Sequence, residues 1–184
     1  SKVKIINYAN KKIDYDYSLF RIDYTSLYTI IKSFLSSIIF MNKNLHRRKI
    51  YGKYISQYFD CTKICKNVKD IEKITQSYNY IIAGSDQIWN NELTGGIDEI
   101  YYLNFKTKAK KIAYAASLGK NKMNDNRELY KKLLQNFDSI SVRESDGCDI
   151  VGSILNTNIK NVIDPTLLLQ YDEWMKYIKS YKPV

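Results

Sequence analysis

The sequence has little of what interrupts or cross-links a chain. Proline occurs only at Pro165 and Pro183, and no Gly/Ser-rich linker or internal repeat is present. That argues against a string of flexibly tethered modules. Cysteine is scarce and odd in number: Cys61, Cys65 and Cys148, without Cys-x-x-Cys spacing. Free thiols in a reducing cytoplasm are the simplest account. A zinc or iron–sulfur centre would need more ligands than Cys61 and Cys65 supply, so no metal is expected. No long apolar run occurs either. The greasiest stretch, residues 30–41, is broken by Lys32, Ser33, Ser36 and Ser37 and is too short and polar to span a bilayer. The first residues show neither the charged head nor the apolar run of a signal peptide. Acidic residues are outnumbered, 19 Asp and Glu against 29 Lys and Arg, for a formal charge of +10. Such a balance attracts phosphates, nucleic acid or an anionic membrane surface without identifying any of them. The 17 Tyr and the abundance of Lys, Ile and Asn fit biased codon usage, so the charge carries little functional weight here.

What remains is a globular composition. With 184 residues, 45% hydrophobic and 26% charged, the chain can bury a real core and is expected to form one domain over residues 1–170, followed by a terminal helix in 171–184. Strands are expected at 3–8, 80–83, 111–116, 139–142 and 160–163. Helical spacing predicts helices at 69–77, 123–137, around 148–155 and from Tyr171 or Asp172 onward. Strands alternating with helices imply an α/β fold, a Rossmann-like parallel sheet covered by helices on both faces.

Residues 25–60 form a helical segment, with Thr25 or Ser26 as its cap. Leu27, Ile30, Ile31, Phe34, Leu35, Ile38 and Ile39 share one broad face. Leu45, Ile50, Tyr54, Ile55, Tyr58 and Phe59 extend the pattern beyond a break near 42–44. His46-Arg47-Arg48-Lys49, with Lys53, makes a basic patch. A nucleic-acid site would need more basic surface and interleaved aromatics. A membrane-surface helix would need its greasy face free. The expected arrangement is a solvated basic face on a core-packed helix, His46 included.

The stretch around which the chain is organised is residues 78–90. The apolar run Tyr80-Ile81-Ile82-Ala83 ends abruptly in Gly84-Ser85-Asp86-Gln87. A buried parallel strand delivers polar side chains to the sheet edge in this way, and ligands of open α/β sheets bind outside the carboxyl ends of the strands. Gly84 permits a tight turn, Ser85 and Asp86 can cap, and Trp89 offers an aromatic face and one donor. The plainer alternative is a strand-to-loop junction with a core tryptophan. Residues 91–108 are long enough for a functional loop. Ser117 lies in Ala115-Ala116-Ser117-Leu118-Gly119, which has the shape of a hydrolase nucleophile elbow. That chemistry needs a downstream histidine, and His46 lies upstream. No Gly-x-Gly-x-x-Gly or Gly-Lys-Ser/Thr loop is present, so dinucleotide oxidoreductases and nucleotidases lose their motifs. Asp86 and Glu144, at strand exits, could bind or deprotonate a ligand hydroxyl. They could equally be a cap and a charge favoured at a helix N-terminus. Arg143 could fork onto a phosphate or carboxylate, or sit in a structural ion pair.

Gly84-Ser85-Asp86-Gln87-Ile88-Trp89-Asn90 resembles the hallmark of the polysaccharide pyruvyl transferase family. Further matches follow in the family's order: Ile112-Ala113-Tyr114-Ala115-Ala116-Ser117-Leu118-Gly119, Ile140-Ser141-Val142-Arg143-Glu144, and Val162-Ile163-Asp164-Pro165-Thr166-Leu167-Leu168-Leu169 with Trp174 shortly after. The resemblance implies transfer of the enolpyruvyl group of phosphoenolpyruvate onto a sugar of a cell-surface polysaccharide or its precursor, with no other cofactor. It also implies an architecture like one half of a GT-B glycosyltransferase, with the anionic donor held by Arg and His of a second half. Family members open earlier, with a strand, a Gly/Asn-rich loop and a helix. This chain is therefore expected to be an acceptor-side first half, either cut from a longer chain or degenerate, and inactive alone. Asp86 and Glu144 become catalytic candidates. Gly84, Ser85, Asp86, Gln87, Trp89, Asn90, Ser117 and Arg143 become substrate-binding candidates. The expected partner is a sugar or polysaccharide precursor rather than nucleic acid, and the expected place is the cytoplasm, with peripheral attachment to the membrane surface. The rivals are a non-catalytic carbohydrate-binding or assembly module and a nucleotide-sugar glycosyltransferase.

Overall fold

The computed structural model describes residues 3–119, 123 and 126–179, with side chains to residue 176. The chain divides into two compact units, Ser1–Lys73 and Ile74–Val184.

The first unit has little core. Its expected opening strand is reduced to parallel bridges at two points, Ile5 to Cys61 and Tyr8 to Cys65. Thr62 N–H and Cys65 N–H donate to the carbonyls of Ile5 and Asn7 at 2.9 and 2.8 Å. Three helices lie between these segments: α1 (Lys11–Asp16), α2 (Leu27–Ile39) and α3 (Met41–Tyr58). Ser26 caps α2 in a reciprocal box. Its hydroxyl accepts from Thr29 N–H at 3.1 Å, and its own N–H donates to Thr29 Oγ1 at 2.9 Å. The break between α2 and α3 falls at Phe40, where ψ is 4°, slightly earlier than the sequence implies.

The expectation that the helix bearing the basic face is core-packed is overturned, and α2 is no more buried. Ser37 is the buried residue of α2, and α3 has none. The inward positions are taken by Ser33 and Ser37, whose hydroxyls accept from the backbone N–H groups of Asp23 and Arg21 at 3.0 and 3.2 Å. The polar side of α2 thus supplies acceptors to the preceding loop. Leu27, Ile31, Phe34, Leu35, Ile38 and Ile39 are therefore turned outward and exposed.

Helix α4 (Val68–Thr75) spans the boundary, and the second unit then builds the sheet. In chain order come β1 (Tyr80–Ala83), α5 (Asn91–Thr94), β2 (Lys110–Ala116), α6 (Arg127–Leu134), β3 (Ser139–Val142), α7 (Ser145–Leu155), β4 (Lys160–Asn161), a 3-10 turn (Pro165–Leu167) and α8 (Tyr171–Lys179). The strands form one four-stranded, all-parallel sheet in the order β1-β2-β3-β4. The fold is thus α/β and Rossmann-like.

Because the strand order never reverses, right-handed crossovers carry successive helices to the same face of the sheet. Ala113, Ala116 and Val142 on that face meet Tyr130, Leu133 and Leu134 of α6 and Val151 and Ile154 of α7 in a single core. The other face, expected to be covered too, bears Tyr80 and Ile82 at the β1 edge, both exposed. The stretch 91–108, read as a functional loop, instead closes the core with Tyr102, Leu103 and Phe105. Burial pushes the Tyr102 phenol pKa far up, and its hydroxyl has no partner among the described residues.

Candidate active site at the carboxyl edge of the sheet

The site grows from the way β1 and β2 end. Gly84 leaves β1 with φ of +124°, and a Cβ there would lie 2.1 Å from the carbonyl oxygen of Tyr114. Glycine alone lets the two strand ends approach so closely. The peptide linking Gly84 to Ser85 is cis.

One strand over, β2 carries an extra residue. Ala113 stands opposite Ile140 and Ala116 opposite Val142, so three steps on β2 match two on β3. Ala115 absorbs the bulge with φ of 51°. The Ser141 hydroxyl fills the gap in the ladder, donating to Ala113 O at 3.1 Å and accepting from Ala115 N–H at 3.3 Å. A bulge resets the two-residue alternation beyond it. Past it, the hydroxyl of Ser117 is aimed at Glu144.

Around Ser117 a connected polar cluster forms. Its hydroxyl donates to Glu144 Oε1 at 2.7 Å and accepts from Gly119 N–H at 3.2 Å. Arg143 Nε donates to the same Glu144 oxygen at 3.1 Å, and Arg143 Nη1 donates to Asp164 Oδ2 at 2.9 Å. Asp164 also accepts from Thr166 N–H and from the Thr166 hydroxyl, at 3.0 and 2.7 Å. These bonds, with those from Arg143 and Ser85, hold its carboxyl well below the usual carboxylate range; the Thr166 N–H contributes most. The bond to Asp164 in turn raises the Arg143 pKa above its ordinary value. Glu144 Oε2 is buried and has no hydrogen-bond partner among the described residues. It is an acceptor without a donor.

Next to this lies a second group. Asn90 Nδ2 donates to Gln87 Oε1 at 2.8 Å, and the Asn90 carbonyl group of the side chain caps α5 by accepting from Glu92 N–H at 3.1 Å. Gly119 (φ +66°) closes over the pair, since a Cβ there would come within 2.2 Å of Gln87 Oε1. The two groups are joined through backbone: Trp89 N–H donates to Ser117 O at 3.2 Å, and Ser117 N–H to Asp86 O at 3.3 Å.

The structure thus brings Ser85, Ser117, Arg143 and Glu144 into one cluster and Gln87 and Asn90 into its neighbour. Asp86 stands exposed beside them, its carboxylate accepting from the next N–H, that of Gln87, at 2.7 Å. Trp89 is elsewhere. Its indole is 3% exposed, stacked on Tyr102 at 5.4 Å and 6°, edge-on to Phe137, and donates Nε1–H to Tyr101 O. It anchors the loop from below rather than lining the rim. Arg143 is in ion pairs at both ends of its guanidinium.

Sequence reasoning missed two residues. Asp164 is the carboxylate that fixes Arg143, and an Asp-Pro-Thr at a strand exit signals a capping carboxylate. Gly147 keeps α7 close to β3, because a Cβ there would lie 2.6 Å from Val142 Cγ1 and 3.8 Å from Glu144 Oε2. A glycine inside a helix pattern was the available signal.

Among the described residues no three His, Cys, Asp or Glu side chains gather as metal ligands, and no helix is long and apolar enough to cross a membrane. No curated protein and no solved structure matches the chain. A family model described as polysaccharide pyruvyl transferase does match, over residues 4–184 and therefore across essentially the whole sequence. The strand-end rim lies within the matched span, and the chain belongs to the polysaccharide pyruvyl transferase family.

Proposed function

We propose that the protein serves the transfer of the enolpyruvyl group of phosphoenolpyruvate to a sugar of a cell-surface polysaccharide or its precursor, and that the strand-end rim is the acceptor side of the site. The family match over residues 4–184 carries this reading. The reaction balances without a redox partner. Two sugar hydroxyl oxygens bond to the central carbon of the donor, and the carbon–oxygen bond to phosphate breaks. One hydroxyl proton ends on the methylene carbon, which becomes a methyl group, and the other leaves with phosphate. No cofactor besides the donor is needed.

The roles follow from the chemistry of the rim. Glu144, its side chain 40% exposed at the β3 exit, is the candidate acceptor for a sugar hydroxyl. Asp86, exposed at the β1 exit, is the candidate to take the hydroxyl proton. Ser117 and Arg143 hold Glu144 in place, and Gln87 and Asn90 set the loop that presents Asp86.

The test is phosphate release from phosphoenolpyruvate over a panel of sugar acceptors, by the intact protein. Turnover is expected to fall on the order of 100-fold or more in Asp86→Ala and in Glu144→Gln, while both unfold near the wild-type temperature. Retained turnover in both variants would remove the rim from the reaction. Saturable sugar binding without phosphate release would mean a binding module, and turnover only with a nucleotide-sugar would mean a glycosyltransferase.

A further inference from the structure

Helix α2 is amphipathic with its apolar side outward. Leu27, Ile31, Phe34, Leu35 and Ile38 recur at helical spacing along one stripe, from 44% to 75% exposed, and Ile39 beside them is 73% exposed. The opposite side is fixed inward by the hydroxyls of Ser33 and Ser37, which accept from loop N–H groups. Those two bonds, with Ser37 buried, hold α2 in this orientation. Isolated exposed leucines are ordinary, but a continuous stripe of this length marks an interaction surface.

The charge of the same segment identifies what the stripe meets. From Tyr24 to Phe59 the sequence contains no Asp or Glu, whereas Lys32, Lys43, Arg47, Arg48, Lys49 and Lys53 all lie within it. None of these forms an ion pair among the described residues. Lys32 and Arg47 lie over the rings of Tyr28 and Tyr17. Helix α3 adds Tyr51, Tyr54 and Tyr58, exposed rings with one apolar body and one polar tip. A second copy of the chain would answer the apolar stripe but would set one acid-free basic helix pair against another. A nucleic acid would answer the charge and leave the stripe in water. An anionic lipid surface answers both, with apolar side chains at the acyl boundary and Lys and Arg among the headgroups.

We infer that α2 and α3 dock the protein reversibly on an anionic lipid surface, with the α2 stripe inserted and the basic residues of α3 against the headgroups. This rests on the first unit alone and is independent of the reaction assigned to the sheet edge.

Vesicle flotation tests it. The protein is expected to float with vesicles of phosphatidylcholine mixed with phosphatidylglycerol, and to bind phosphatidylcholine alone on the order of tenfold more weakly. High salt weakens the first binding. Leu35→Asp with Ile38→Asp, and separately Arg48→Glu with Lys49→Glu, each lower affinity on the order of tenfold or more. Because these side chains are exposed, circular-dichroism melting of both variants is expected to match the wild type. Failure to float with mixed vesicles overturns the assignment, as does flotation that both variants retain. A dimer in sedimentation velocity that Leu35→Asp with Ile38→Asp dissolves would give the stripe to a second copy instead.

Discussion

Arg143 illustrates how little a residue type says about its task until its partners are known. A guanidinium at a strand exit is suited to fork onto a phosphate. Here one edge is spent on Glu144 and the other on Asp164, so Arg143 sets the position of two carboxylates. The arrangement makes Asp164 the pH-sensitive member. Its folded pKa is depressed, chiefly by the Thr166 N–H and hydroxyl and then by Arg143. The stabilisation is therefore fully present above the unfolded carboxyl value of about 3.9 and is lost as pH falls from there toward the folded value. Asp164→Asn keeps the capping oxygen and removes the charge. Urea midpoints of variant and wild type are expected to differ most near neutral pH and to converge below about pH 4. A difference that stays constant down through the acid range would mean that the charge of Asp164 is not what stabilises the cluster.

At the scale of elements, the junction of β1 and β2 is the most tightly specified place in the second unit. Gly84→Ala puts a methyl group against the Tyr114 carbonyl, which is backbone and cannot swing aside, at a φ that L residues rarely adopt. Strain and overpacking together are expected to cost about 2–5 kcal/mol, read as a lowered urea midpoint at unchanged slope. A cost below about 1 kcal/mol would show that the strand ends are free to part. The strands themselves were legible in the sequence because a buried parallel strand reads as a short apolar run bounded by polar residues. The 80–83 strand falls on its apolar run residue for residue, the 139–142 strand falls on its expected range although Ser139 and Ser141 interrupt the apolar residues, and β2 is one residue longer than its apolar run suggests. The gathering of Ser117, Arg143 and Glu144 was legible as well, since strand exits of one parallel sheet share an edge. Three things were not. Periodicity shows that α2 has an apolar side but not which way it faces, because Ser33 and Ser37 on its other side bond N–H groups of the preceding loop, which periodicity does not register. Trp89 could sit on the rim or under it, and Tyr102, far along a segment without periodicity, supplied the ring it stacks on. The 3–8 strand lacked a partner long enough for a continuous ladder and closed only two bridges.

At the scale of the whole molecule, the two units are unequally provided with core. Among the described residues of the first, only Asn10, Ser37, Cys65 and Ile71 are buried. The second gathers Trp89, Tyr102, Tyr130, Leu133, Leu134, Val142 and Val151 into one cluster. Burial of apolar surface is the dominant favourable term in folding, so the first unit has far less to offset its chain entropy. The sequence happens to place a separate reporter in each. Cys65, fully buried in the first unit, has a free thiol, and Trp89 is buried in the second. In a urea series, alkylation of Cys65, followed by peptide mass, is expected to rise well before the tryptophan emission shifts. Cys148, half-buried in the second unit, is expected to follow the tryptophan and not Cys65. Non-coincident transitions of this kind are the signature of units that open separately. Coincidence of all three probes would mean instead that the chain melts as one cooperative body and that the sparse core of residues 3–73 is stabilised by more than its own contacts.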